Sequence, residues 1–271
     1  MKGRRISVLG SGWLGAALVA ILEAKGSSVL ISTTSSEKCN QLKGEGKQAF
    51  TIKVQSEEII GDIESFLDSE ILIINIPPNR AELEKEQFAS LLPLIEKSSI
   101  QKVLFVSSTA VYPNLNRVLK EDEKIENKTH HLYKSEQLLL NNLHFKTTVV
   151  RMAGLVGGER HPGRFFRKHG VIRNAEAPVN LIHREDCLQI MLQIMLQDVW
   201  GEVFNACADE HPPKNVFYPT AAAAIGMPVP LCEAADSPSF KIIDNTKIKE
   251  QLSIHFKYPD LLRLIKEDKW V

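Results

Sequence analysis

The stretch ISVLGSGWLGAALVAIL, Ile6 to Leu22, constrains the fold more than any other part of this 271-residue chain. A short apolar run reaches Gly10, and an apolar helical run begins after Gly12, so Gly10, Gly12 and Gly15 form GxGxxG between a strand and a helix. In that setting each glycine has a task. The first permits a tight turn, the second lets a pyrophosphate come close to the backbone, and the third lets helix and strand pack together. The helix N-terminus then faces the anion. The basic start MKGRR ahead of an uncharged stretch imitates a signal peptide, but three glycines would interrupt its apolar helix, so the strand-turn-helix reading is preferred.

The same punctuation runs down the chain. RISVLG, SSVLIST, QAFTIKV, EILIINI, KVLFVSS, TTVVRMAG and EVFNACA are short apolar runs rich in β-branched residues, as expected of strands buried on both faces of a parallel sheet. Helical spacing over Leu14 to Lys25, Arg80 to Lys97, Leu132 to Leu143 and Asp186 to Leu196 links them. The predicted class is α/β: a Rossmann-like doubly wound parallel sheet with a small C-terminal substrate-binding region. Residues 1–154 form the dinucleotide-binding domain and 155–271 mostly the substrate region, with 180–209 returning to the first domain. Asp186 is placed as the N-cap of the helix that follows it.

Composition narrows the function. Lys plus Arg and Asp plus Glu both total 33, which marks neither a nucleic-acid surface nor a membrane surface. Apart from that glycine-interrupted stretch, no segment approaches the roughly 18 apolar residues of a membrane span. Cys39, Cys187, Cys207 and Cys232 lie far apart without a CxxC, so neither a metal site nor a disulfide framework is written here, and a cytoplasmic location is the simplest. A small-molecule substrate is the expected partner.

At the end of the second strand, where a carboxylate would hold the ribose hydroxyls of NAD, the chain has Thr33, Thr34 and Ser35, with Lys38 just beyond. Hydroxyls and a lysine would accept a 2′-phosphate, which favours NADP over NAD. The same residues would serve nearly as well as turn and cap residues for the next helix.

With the glycine loop joined in order to IINIPP, FVSSTAVYP, VVRMAGLVGGERHPGRF and VNLIHREDC, the chain resembles the extended short-chain dehydrogenase/reductases, the NAD-dependent epimerase/dehydratase family, and within it a shorter, atypical bacterial branch. The resemblance covers nearly the whole chain. It implies that Gly10, Gly12, Trp13, Leu14 and Gly15 carry the pyrophosphate, that Ile76, Pro77 and Pro78 lie along the adenosine side, and that Ser107 and Ser108 end the fifth strand beside the nicotinamide. Ser108, four residues before Tyr112, would donate a hydrogen bond to the reacting oxygen. Relatives also imply a homodimer through the helices at Arg80 to Lys97 and Leu132 to Leu143.

In that family the acid or base is the tyrosine of a YxxxK helix. A phenol that titrates near 10 needs a neighbouring cation to act at neutral pH, and a spacing of four puts the lysine on the same helix face. KTHHLYKSEQLLL does not supply the pair, because Tyr133 is followed four residues on by Gln137. Aligning on Glu136 and its leucines puts Lys128 at the tyrosine position and Leu132 at the lysine position. Tyr133, counted along a continuous helix, then lies about 140° from Lys128 and off the cofactor face. Three readings stay open: a helix that only packs, a substitute acid or base from His131 or Lys128, and a shifted register that returns Tyr133 to the pocket. The missing pair also raises a rival function, a nicotinamide-binding redox-sensing or regulatory protein without turnover.

Arg151, Asn180, His183 and Arg164 are the remaining substrate-binding candidates. Arg151 ends a strand and would hold an anion or form a structural salt bridge. Asn180 and His183 lie in VNLIHRED, where a packed role suits His183 better than a catalytic one. Arg164 belongs to a basic loop with Arg160, His161 and Arg167 that would meet a phosphate or carboxylate, or simply be solvated.

Overall fold

A computed structural model of the protein describes residues 1–55, 57–76, 88–166 and 170–270. All seven apolar runs form one sheet, with strands Arg5–Leu9, Ser28–Thr33, Gln48–Thr51, Ile71–Ile74, Lys102–Ser108, Lys146–Met152 and Val203–Ala206. The second and third strands lie on one side of the first, and the fourth to seventh follow in order on the other. That reversal at the first strand is the topological switch point of a doubly wound sheet, beyond whose carboxyl ends ligands bind. The first strand pairs in parallel with the second and the fourth, so that Val8 stands opposite both Ile31 and Ile73. The second pairs with the third, and the fourth with the fifth, also in parallel. Ile71 to Ile74 are completely buried, which is why this strand reads as a continuous apolar run. Each such side chain stabilises the core by roughly 1.5–3 kcal/mol.

Helix α1 (Trp13–Ala24) buries Leu14, Leu18, Val19 and Leu22 along one stripe. Helix α2 (Ser36–Gly44) is capped by Ser35, whose hydroxyl accepts the amide of Lys38 at 3.2 Å. The helix expected over Arg80 to Lys97 is described only from residue 88 on, where Leu92–Lys97 is helical. The helix expected over Leu132 to Leu143 spans His131–Leu140. It stops early because Asn142 turns its side-chain oxygen onto the amide of His144, leaving Leu143 in solvent.

Two compact units interleave along the chain rather than dividing at a single cut. The first comprises 1–107, 127–150 and 191–203, and the second 108–126, 151–190 and 204–271. In the second unit, Val156, Val179, Leu181, Phe217, Ala221 and Leu261 form a core of their own. Gly154–Val156 pairs in parallel with Leu181–His183. The next helix begins at Arg184, so Asp186 sits inside its first turn rather than ahead of it. Its buried carboxylate accepts the amides of Lys257 at 2.6 Å and Tyr258 at 3.1 Å, fastening the C-terminal segment instead of capping the helix. Burial raises its pKa to about 6, against the pull of those two amides.

Candidate functional site

The glycine turn of the first unit gives each glycine a distinct reason. Gly10 has φ +112°, and a Cβ there would strike the carbonyl of Asn75 and approach Ile76 Cγ2 at 3.0 Å. Any side chain at Gly15 would run into the carbonyl of Gly10 and lie 2.9 Å from Asn75 Nδ2. These two positions bring the first strand, the helix and the end of the fourth strand together. Gly12 differs, because a Cβ there would meet nothing within 4 Å. It is the N-cap of α1, has no side-chain cap, and leaves the first-turn amides directed outward. A bare, positively polarised helix end with open space in front of it suits a pyrophosphate. Leu14 itself is core, so only its backbone can serve an anion, whereas Trp13 is half-buried at the helix start.

The second strand braces the turn. Ser32 Oγ accepts the amide of Gly10 at 3.0 Å, and its carbonyl accepts the amide of Ser11 at 2.9 Å. Lys38 Nζ donates to the Ser11 carbonyl at 2.6 Å, so an ammonium group lies against the turn. Thr33 is buried and accepts the amide of Ser35, Thr34 is exposed, and Ser35 is the helix cap described above. Ile76 adjoins Gly10, whereas Pro77 and Pro78 lie outside the described residues.

The helix His131–Leu140 lies in the same unit as the glycine turn. Leu132, Ser135, Glu136 and Leu139 form its buried face. Glu136, completely buried, accepts the hydroxyl of Ser107 at 2.5 Å, tying the helix to the fifth strand. Lys128 precedes the helix in a turn, so an angle counted along a continuous helix from Lys128 does not apply. It is exposed and lines an outer groove with Tyr133 and Gln137. His131 is the first helical residue, stacked on His130 with ring centroids 4.5 Å apart. Its Nε2 is buried without a hydrogen-bond partner among the described residues, and desolvation holds its pKa below the ordinary histidine value.

In the second unit Ser108 is half-buried and accepts the amide of Ala110 at 3.1 Å, which leaves its hydroxyl proton available to a ligand. It lines a cavity of about 350 Å³ together with Asn180, Lys214, Tyr218 and Lys241. Both ends of the Asn180 amide are occupied: it donates to the Lys241 carbonyl at 2.9 Å and accepts the Ile243 amide at 3.0 Å. His183 is 1% exposed, accepts the amide of Glu185 at 3.3 Å and packs on Tyr258 at 4.1 Å. Arg164 is exposed and donates to the Glu159 carbonyl at 3.4 Å. Arg167 lies outside the described residues.

Arg151 forms the structural salt bridge. It is 2% exposed and donates at 2.6 Å both to Glu126 and to the Tyr112 hydroxyl. Tyr112 passes its own proton to Asn205 Oδ1 at 3.0 Å. Burial pushes the Tyr112 phenol up to about 12 despite the adjacent guanidinium, so it stays protonated. Sequence reasoning missed Lys214, Tyr218 and Lys241 as cavity residues. Lys214 and Tyr218, four apart in the helix Lys214–Ala224, were findable by spacing, but Lys241 carries no local signal.

Comparison with known proteins agrees with this architecture. The Escherichia coli K12 protein YeeZ is 30% identical over 269 residues, covering 96% of this chain and 98% of YeeZ. A functionally unknown conserved protein from Silicibacter pomeroyi superposes with a TM-score of 0.79 at 23% identity over 99% of this chain and 100% of that one. A short-chain dehydrogenase/reductase superfamily protein from Agrobacterium tumefaciens, solved with bound NAD, gives 0.72 at 18% identity over 98% and 95%. No family model matches the chain. The chain therefore shares the fold of these two solved structures.

Proposed function

For a chain that belongs to the family of the Escherichia coli protein YeeZ, we propose an NAD(P)-dependent oxidoreductase or epimerase/dehydratase acting on a small or nucleotide-linked substrate. The observation that carries this reading is the glycine turn at the switch point, where Gly12 leaves open space before a helix N-terminus whose amides have no side-chain cap. A dinucleotide bound there would supply hydride chemistry at its nicotinamide. Gly12 and Trp13 would hold its pyrophosphate through backbone, Gly10 and Gly15 would shape the turn that presents them, and Ile76 would border the adenosine. Thr34 and Lys38 favour a 2′-phosphate, hence NADP, since Ser35 is spent as a cap.

Ser108 donates its hydroxyl proton to the reacting oxygen. His131 moves the proton in place of the missing tyrosine, because its buried Nε2 has no partner among the described residues and desolvation keeps the ring neutral. Self-association through the groove beside Leu92, Tyr133 and Leu138 belongs to the same reading, and sedimentation as a monomer would remove it. A screen for NADPH or NADH oxidation against carbonyl and sugar-nucleotide substrates tests the activity. Turnover that Ser108→Ala abolishes would support it.

One observation favours a second reading, a nicotinamide-binding regulator without turnover. No tyrosine-lysine pair stands on the face of the helix His131–Leu140 that carries Glu136, and Lys128 lies before that helix. Tight cofactor binding with no oxidation across the panel would select it.

A further inference from the structure

The cavity that Ser108 lines says what kind of substrate it would take. Thirteen of the described residues line it, and none of these is acidic. Two are lysines. Lys241 is half-buried and donates one proton to the Tyr112 carbonyl at 2.6 Å, leaving two N–H donors of its ammonium group unspent. Lys214, half-buried at the start of the helix Lys214–Ala224, forms no ion pair among the described residues. Other lysines of this unit are paired, Lys249 with Asp209 at 2.8 Å and Lys257 with Glu185 at 2.6 Å. A partly desolvated ammonium without a counter-charge is costly, and desolvation already lowers the pKa of Lys241. The cavity therefore presents two positive charges, the hydroxyl of Ser239, which accepts the Asn114 amide at 3.2 Å and keeps its own proton to donate, and an aromatic wall from Tyr218. Its volume suits a small ligand.

We propose that this cavity binds an anionic group of the substrate, a phosphate or a carboxylate, between Lys214 and Lys241, with the adjoining part of the substrate beside Ser108. The proposal deepens the functional reading above and borrows from it only the role of Ser108. Among the described residues no carboxylate in the wall competes for the two cations, so an arriving anion supplies the missing counter-charge.

The test is calorimetric titration of the full chain with inorganic phosphate and, separately, with acetate, each at constant ionic strength against chloride. Wild type should bind at least one of the two, and Lys214→Gln and Lys241→Gln should each weaken binding by roughly tenfold, the loss expected for a charge-assisted hydrogen bond. Lys214→Arg should restore most of the affinity. Phosphate without acetate assigns a phosphorylated substrate, and the reverse a carboxylic acid. Should Lys241→Gln fail to fold because the Tyr112 carbonyl loses its donor, Lys214→Gln and Lys214→Arg still decide the matter. Binding of neither anion, or affinities equal in wild type and Lys214→Gln, overturns the proposal. NADPH titrated into the same proteins separates the two readings. Lysine-dependent anion binding by a folded protein that binds no nicotinamide would end the functional reading and leave the anion site standing.

Discussion

The glycine turn after the first strand and the helix His131–Leu140 belong to the same compact unit, yet they hold different kinds of information. At Gly10 and Gly15 the requirement is on backbone: one needs a positive φ beside Asn75, the other a helix pressed onto the Gly10 carbonyl. At His131–Leu140 the packing requirement is kept by Leu132, Ser135, Glu136 and Leu139, while no tyrosine-lysine pair shares that buried face. Steric requirements admit one residue type and stay in place. Proton transfer needs only a titratable group within reach, so it can be reassigned to a different residue without disturbing the fold.

The comparison can be broken most forcefully at Gly15. Gly15→Val drives side-chain atoms into the Gly10 carbonyl, and urea denaturation should show a loss of about 2–4 kcal/mol. An unchanged midpoint would mean that helix and turn tolerate separation. Next in size is the chemistry of the helix: once a substrate is in hand, His131→Gln should lower kcat by roughly a hundredfold with little change in KM. An unaltered kcat would return this helix to pure packing.

Gly12→Ala separates shape from function within the turn itself. Because its Cβ meets nothing, folding should suffer by less than about 1 kcal/mol, while dinucleotide affinity falls by more than about tenfold. A smaller expected effect concerns acid. Burial lowers the pKa of His131, so the unfolded chain binds a proton that the folded chain resists. Stability from this residue is therefore present above its ordinary pKa of 6.5 and declines as pH falls below it. His131→Gln should flatten that part of a melting-temperature profile, and an identical slope would show that the ring is not desolvated. The smallest effect is at Tyr133. It lines an outer groove with exposed Lys128, and Tyr133→Phe should leave turnover unchanged; a large loss would restore the shifted register.

Much of the fold was legible because it rests on patterns that backbone physics enforces. All seven apolar runs became strands of one sheet, and the glycine spacing marked its switch point. The site was less legible where tertiary contacts decide a residue's use. Arg151 could have met a ligand from its place at a strand end, but Glu126, 25 residues earlier, claims its guanidinium. Asp186 looked like a cap, yet the amides of Lys257 and Tyr258, more than 70 residues on, take its carboxylate. Asn180 is consumed by the backbone at Lys241 and Ile243. Lys241 enters the cavity from a segment with no motif at all. Short-range spacing could have offered Lys214 with Tyr218, but only the fold shows that both meet Ser108 in one cavity.

The central claim is that the turn at Gly10 to Gly15 holds a nicotinamide dinucleotide, and fluorescence titration of wild type and Gly12→Ala with NADPH and NADH tests it most directly. Binding of both by wild type, tighter for NADPH, with a marked loss in a Gly12→Ala protein that melts at nearly the same temperature, is the predicted result. Absence of nicotinamide binding by the folded wild type, or equal affinity in the two proteins, would contradict it.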